Sequence, residues 1–270
     1  KIGGNLVPIR KWPWQVFLRI IIPTFNSTTM ERGMVENGCG GTVISDQWIL
    51  TAAHCIQPVS RILVYSGIVH RNRSEAEKSE KKIIYFVETA FSHPHYENET
   101  NDIALLKLEE PLSFDETVSP ICLPHKDQSI PSDGQAVIVG YGTSNIREDS
   151  GNATLEDGKL RDTIVPLIKY NTCKTRIETA LKYTGVDATM HICAGSMGHG
   201  AALGDSGGPM LMKAEDGRWF QIGITSFGGV SKWQTLQDES PGIYTNVRQH
   251  CDWIKQTTSG EASCEEEIVK

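Results

Sequence analysis

Nowhere does this chain carry an apolar run long enough to cross a bilayer. Its densest aliphatic stretch is Ile20-Ile21-Ile22, against the roughly 18 residues that suggest a spanning helix. A soluble chain with no membrane partner is therefore expected. A basic excess is lacking as well: 26 Lys and Arg stand against 33 Asp and Glu, for a net charge of −7. With no basic stripe and no aromatics interleaved in one, nucleic acid is not an expected partner. The chain does not open on a signal peptide. It also lacks an even cysteine count, since seven cysteines leave one thiol over after any internal pairing. The composition is otherwise ordinary, and at 39% hydrophobic residues the 270-residue chain can build a real core as one domain or two small ones.

What is present is chemistry in three segments. Gly204-Asp205-Ser206-Gly207-Gly208-Pro209 sets a serine among glycines, which leaves its hydroxyl unobstructed and backbone amides free beside it, as an acyl-transfer nucleophile requires. The amides of Gly204 and Ser206 can both aim at the oxyanion formed when Ser206 attacks a carbonyl. Thr51-Ala52-Ala53-His54-Cys55 supplies an imidazole, and Asp102-Ile103-Ala104-Leu105-Leu106 a carboxylate at the head of a hydrophobic strand. Any one of the three has an ordinary structural explanation. Together they provide nucleophile, base and orienting acid, in the chain order His, Asp, Ser.

From about Ile2 to Ile254 the chain resembles the chymotrypsin-like (trypsin-fold) serine proteases. The likeness rests on Trp12-Pro13-Trp14-Gln15, the three segments above, Ser226-Phe227-Gly228 and Pro241-Gly242-Ile243-Tyr244. It implies that His54, Asp102 and Ser206 form a catalytic triad, that Gly204 and Ser206 donate the oxyanion hole, and that Ser226 hydrogen-bonds the Asp102 carboxylate. No metal or organic cofactor is implied. Among the cysteines it implies Cys39 with Cys55 and Cys173 with Cys193. For Cys122, Cys251 and Cys264 two arrangements stay open. Cys122 can tether a pro-segment or upstream chain while Cys251 and Cys264 pair locally, or Cys122 can bond within the C-terminal segment.

Relatives are made as zymogens, and the resemblance implies an activation ion pair between Asp205 and a freed α-ammonium group. Lys1-Ile2-Gly3-Gly4 departs from the usual two hydrophobic residues before the glycines. Spacing to Trp12 favours Lys1 as the new terminus, whereas burial favours Ile2, because long charged side chains resist it. The substrate pocket implied by counting from Ser206 contains Gly200 at its floor with Ala201, Leu203, Ser226, Phe227, Gly228 and Gly242 around it. It is open and uncharged, which disfavours a basic residue before the scissile bond and favours a bulky apolar or aromatic one. Ala202 replaces a cysteine that usually pairs across this pocket, and its partner is missing too. Lys232, Trp233 and Asp238, in the long segment 229–240, are candidates to refill the space, and His199 adds a polar contact nearby.

The pattern of short strand-like runs reads as all-β, and the resemblance specifies two six-stranded antiparallel barrels with the site between them and a C-terminal helix. The expected strands are 15–22, 41–45, 61–65, 82–87 and 103–108, then 135–141, 160–168, 190–194, 209–212, 220–227 and 242–247; helices are expected over 172–183 and 248–257. The expected boundaries are an N-terminal barrel over about 1–119, a C-terminal barrel over about 120–247, the helix, and an acidic tail over 259–270. The loop 145–158 reads as exposed and open to nicking. The mixed-charge run 75–82 reads as solvated rather than as a calcium loop, since Ile68 stands where a first carboxylate ligand is expected.

Four sequons, at Asn26, Asn72, Asn98 and Asn152, agree with export of a glycosylated protein. The expected function is thus a secreted serine endopeptidase acting on protein or peptide substrates and restrained by protein inhibitors. The competing reading is an inactive relative that binds or regulates. A lipase or esterase does not fit the chain order.

Overall fold

In the computed structural model the described residues are 2–26, 31–57, 61–71, 82–144, 157–228 and 236–265. Lys1, the sequons at Asn72 and Asn152, the side chain and rest of the Asn26 sequon, residues 75–81 of the charged run, 145–156 of the nicking loop, Lys232 and Trp233 lie outside them.

Twelve of the thirteen described strands build two closed antiparallel barrels. The first comprises β2 (Gln15–Asn26), β3 (Glu31–Val43), β4 (Trp48–Thr51), β5 (Arg61–Ser66), β6 (Ile84–Ser92) and β7 (Ala104–Leu108), closed in the order β2-β3-β4-β7-β6-β5. The second comprises β8 (Gln135–Gly140), β9 (Arg161–Ile168), β10 (His191–Ala194), β11 (Pro209–Lys213), β12 (Trp219–Phe227) and β13 (Gly242–Asn246), in the order β9-β10-β13-β12-β11-β8 with β8 returning to β9. A short β1 (Asn5–Leu6) adds to the edge of β9. The first barrel's expected span therefore begins with residues that join the second.

Short runs bounded by turn signals account for the strands that sequence located well. In β9, Asp162, Thr163, Val165 and Leu167 are buried while Ile164 and Pro166 face out. Two features escaped that signal. Strand β4 is buried along its whole length, so it has no period to read. Strand β3 begins ten residues before its expected start because Glu31–Gly38 is polar, and it is held by backbone pairing with β2 from Asn26↔Glu31 to Gln15↔Thr42.

Helix α1 spans Tyr170–Leu181, two residues earlier than expected, and ends where Lys182 turns left-handed at φ 58°. The C-terminal segment is a 3₁₀ turn over Val247–His250 followed by α2 (Cys251–Thr257), in place of one continuous helix. No helix among the described residues is long and apolar enough to cross a membrane.

The two halves are joined by packing and by buried polar contacts. Trp12 stacks edge-on against Trp219 of β12 at 4.9 Å between ring centres, and its Nε1–H donates to Asp162 Oδ2 on β9 at 2.8 Å. Disulfides link Cys39 to Cys55, Cys173 to Cys193 and Cys251 to Cys264, leaving Cys122 unpaired among the described residues. The local pairing of Cys251 is thus the arrangement adopted.

Candidate active site

His54 sits in a single 3₁₀ turn, Ala53–Ile56, directly after β4. The Cys39–Cys55 disulfide ties that turn to β3. Asp102 sits two residues before β7, the strand that pairs with β4. Neighbouring strands therefore deliver base and acid at the same barrel end.

The approach to Asp102 is an unusual turn. Asn98, Glu99 and Asn101 all adopt positive φ, at 46°, 67° and 54°, which non-glycine residues rarely do. Contacts from the second half hold it: Tyr183 Oη–H donates to Asn98 O at 2.7 Å, His191 Nε2 lies 3.3 Å from Glu99 O and His250 Nε2 lies 3.2 Å from Asn101 Oδ1. Strain at such a turn persists only when the surroundings over-determine it.

The Asp102 carboxylate is fully buried and grips His54 twice. The His54 backbone N–H donates to Oδ1 at 2.9 Å, and ring Nδ1 lies 2.7 Å from Oδ2. Ser226 Oγ–H donates to the same Oδ2, as the resemblance implied. Burial alone would raise the Asp102 pKa, but the hydrogen bond and charge of His54, with Ser226, bring it below the ordinary carboxylate value. Burial alone would depress His54, yet the Asp102 hydrogen bond and charge more than offset it and leave its pKa raised above 6.5.

In the neutral ring Nδ1 carries the proton toward Asp102, which leaves Nε2 as a base on the opposite edge. His54, Gly204 and Ser206 line one cavity of about 340 Å³, together with Glu36, Asn37 and Arg71, and Nε2 lies 3.7 Å from Cys55 Sγ. Among the described residues no hydrogen bond joins Ser206 Oγ to Nε2. Such contacts are often long before substrate binds.

Ser206 occupies the turn before β11. Gly40 N–H of β3 donates to Ser206 O at 2.7 Å, a direct bond between the barrels at the nucleophile. Within the turn, Asp205, Gly207 and Gly208 spend their N–H groups on Ala202 O, Thr225 O and Asp205 O. No described hydrogen bond uses the N–H of Gly204 or Ser206. Gly204 has φ 86°, a conformation that only glycine takes freely. Asp205 is fully buried and accepts from Gly142 N–H and Ala202 N–H, both at 2.9 Å.

The expected Ile2–Asp205 ion pair belongs to a chain cleaved after Lys1, in which the Ile2 nitrogen is a free ammonium group; Lys1 is still attached here. Ile2 follows Lys1, so its nitrogen is a peptide nitrogen with one hydrogen. That hydrogen is donated to Gly200 O at 3.0 Å, and Gly200 N–H returns a bond to Ile2 O at 3.3 Å. Ile2 is nonetheless buried.

A second cavity, of about 240 Å³, opens beside Ser206, and of the expected pocket residues Ala201, Leu203, Ser226, Phe227, Gly228 and Gly242 line it. Gly200 does not. The side chain of Gln237 covers it: a Cβ on Gly200 would fall 1.7 Å from Gln237 Oε1. The segment that sequence pointed to as a source of pocket filling supplies Gln237; of the residues named from it, Asp238 does not line the cavity, and Lys232 and Trp233 lie outside the described residues. Ala202, singled out for the missing cysteine, lines the cavity as well, and Thr225 and Gln237 are lining residues that sequence reasoning did not name. His199 turns away, with Nδ1 3.1 Å from Thr163 Oγ1.

Among the described residues the close grouping of potential metal ligands is Cys39, His54 and Cys55. Its two sulfurs are joined to each other, so neither is a thiolate ligand.

A profile of the family described as Trypsin matches residues 1–254. Among curated proteins, chymotrypsin-C of Bos taurus is 34% identical over 258 residues, covering 94% of this chain and 87% of that protein. Tryptase of Mus musculus is 33% identical over 264 residues, covering 94% and 86% respectively. Coagulation factor XI of Bos taurus is 34% identical over 266 residues, 96% of this chain but only 38% of that protein's length.

Proposed function

The chain belongs to the trypsin family and is a serine endopeptidase, and from that premise we propose that it is a secreted enzyme cleaving protein substrates through an acyl-serine intermediate. The observation that carries the mechanism is the coexistence, around one cavity, of an Asp102-oriented His54 and two unspent N–H groups at Gly204 and Ser206.

Ser206 Oγ attacks the scissile carbonyl carbon while its proton passes to His54 Nε2. The electron pair of the carbonyl moves onto oxygen, and the N–H groups of Gly204 and Ser206 donate to it. The imidazolium, stabilised by Asp102, then protonates the departing amine, and the C–N bond breaks to leave an ester on Ser206. Water, deprotonated by the same imidazole, hydrolyses the ester and returns the proton to Ser206. The groups that act on the substrate are thus side chains and amides of the chain itself.

Substrate residues on the leaving side lie along the cavity that holds Glu36, Asn37 and Arg71, and the residue before the scissile bond enters the one beside Leu203. With a neutral carboxamide at its base, that second cavity supports preference for an uncharged, bulky side chain over Lys or Arg. A zymogen stage is proposed as well, in which a newly freed ammonium near the Ile2–Gly200 pairing becomes the counter-charge of buried Asp205. Protein inhibitors and disulfide attachment of an upstream chain through Cys122 belong to the same reading.

The test is covalent labelling. A fluorophosphonate probe is expected to label the active protein and not Ser206→Ala. Absence of labelling in a folded, proteolytically activated wild type would favour the inactive-relative reading.

A further inference from the structure

We propose that Asn98 carries an N-linked oligosaccharide and that this glycan narrows the upstream side of the substrate cleft, so that the enzyme cleaves an extended peptide in preference to the same sequence held on a folded protein. This rests on the secreted-endopeptidase reading and adds to it a modification site and a filter on substrate size.

Of the four sequons, Asn98-Glu99-Thr100 is the one whose three residues are all described. It sits on a two-residue turn: Glu97 N–H donates to Thr100 O at 3.2 Å, and Thr100 N–H donates to Glu97 O at 2.9 Å. At its tip Asn98 and Glu99 have φ 46° and 67°, the pair of left-handed residues that so tight a reversal demands. Asparagine tolerates that conformation better than most residues, so the turn by itself explains Asn98. It does not explain Thr100, which serves the turn through backbone atoms and whose hydroxyl makes no hydrogen bond among the described residues. A sequon explains both, because the asparagine takes the sugar and a hydroxyl two positions on completes the acceptor.

The acceptor is also accessible. Asn98 is exposed, and among the described residues its side-chain nitrogen has one hydrogen-bond partner, Glu97 Oε1 at 3.5 Å. The turn is held to the second barrel through backbone carbonyls, Asn98 O by Tyr183 and Glu99 O by His191, so sugar on Nδ2 leaves those contacts intact. Attachment takes place during export, with a lipid-linked oligosaccharide diphosphate as donor. Nδ2 bonds to the anomeric carbon, the bond from that carbon to the diphosphate oxygen breaks with its electron pair, and Nδ2 gives up one proton.

Position decides what the glycan obstructs. Tyr183 packs edge-on against Phe227 at 5.0 Å between ring centres, and His191 packs edge-on against the same ring at 5.9 Å. Phe227 lines the cavity that receives the residue before the scissile bond. Neither Asn98, Tyr183, His191 nor Phe227 lines the cavity assigned to the leaving side. The glycan therefore stands beside the approach used by residues upstream of the cleaved bond. It is bulky and hydrated. A short peptide passes it, whereas a folded substrate must also bring its own surface to the rim and meets sugar there.

The experiment uses the full chain, secreted from cultured animal cells and activated. Peptide mapping after enzymatic glycan release, which converts a glycosylated asparagine to aspartate, reads occupancy at each sequon, and sugar is expected at Asn98. Function is read as kcat/KM for one cleavable sequence in two forms, a free peptide and an insert in a surface loop of a stable carrier protein, so that side-chain preference cancels. Removing the glycan by Thr100→Ala or Asn98→Asp is expected to raise cleavage of the carrier roughly threefold or more relative to the free peptide, because an orientational restriction on encounter is lifted. Aspartate keeps the tolerance of left-handed φ, so a poorly folding Thr100→Ala leaves the test intact. Thr100→Ser, which keeps the sequon, is expected to match wild type. An unmodified Asn98 beside sugar at another sequon overturns the site. An occupied Asn98 with the same ratio before and after removal overturns the filter. Sugar at none of the four overturns the export reading as well, and absence of fluorophosphonate labelling overturns the endopeptidase reading.

Discussion

His54 has opposing influences acting on one proton. Burial favours the neutral ring and Asp102 favours the imidazolium, and the carboxylate prevails. Because the free base must be neutral to accept the Ser206 proton, activity falls as pH drops through a pKa that lies above the ordinary 6.5. A profile of kcat/KM against pH is expected to show an acid limb with its midpoint above that value. Asp102→Asn removes the anion that raises it and reverses the tautomer preference. The acid limb then shifts to lower pH, and kcat falls on the order of 10⁴, the loss that a misplaced tautomer causes in triads of this type. An unmoved midpoint in Asp102→Asn would mean that Asp102 does not set the basicity of His54.

At the level of elements, a short disulfide-pinned segment ends the described chain. Residues Cys251 to Cys264 take in α2 and the turn after it, closed by a disulfide with a sequence separation of 13. Closing a loop of that size restricts the unfolded chain by about 3 kcal/mol on an entropic account. Replacing both cysteines by serine is expected to lower Tm by several degrees while leaving kcat unchanged at 25 °C, since neither residue approaches the triad. Thermal denaturation and a steady-state assay on the same sample check both halves of that statement. The elements also show where reading a sequence reaches its limit. A run bounded by turn signals marked β9, but β4 is wholly buried and the start of β3 is mostly polar, so neither presents a period.

For the molecule as a whole, the decisive contacts join one barrel to the other. His250, from the turn before α2, reaches Asn101 in the turn that leads to Asp102, and packs edge-on against His93. Burial is the main reason its pKa is lowered to about 4 from 6.5. Between those values the unfolded chain holds a proton that the folded one does not, so stability is lost as pH falls from 6.5 toward 4. The contribution is on the order of 3 kcal/mol for a shift of this size. Urea denaturation at pH 7 and at pH 4.5 is expected to show that loss in wild type and a smaller one in His250→Gln. An equal loss in both would assign the acid sensitivity to other groups.

The sequence by itself determined the chemistry and its order: the three triad segments, the glycine-flanked serine, two of the disulfides through family likeness, and the all-β class. Each is a local pattern of residue types that a short window preserves. Tertiary structure alone decided which polar group packs over Gly200 beside the Ser206 cavity, what Ile2 pairs with, and how the strained turn before Asp102 is held. Gln237 meets Gly200 across 37 positions, Ile2 meets it across 198, and the turn leans on Tyr183, His191 and His250 from the other half of the chain. Contacts of that kind depend on how two barrels pack, and no local spacing encodes them.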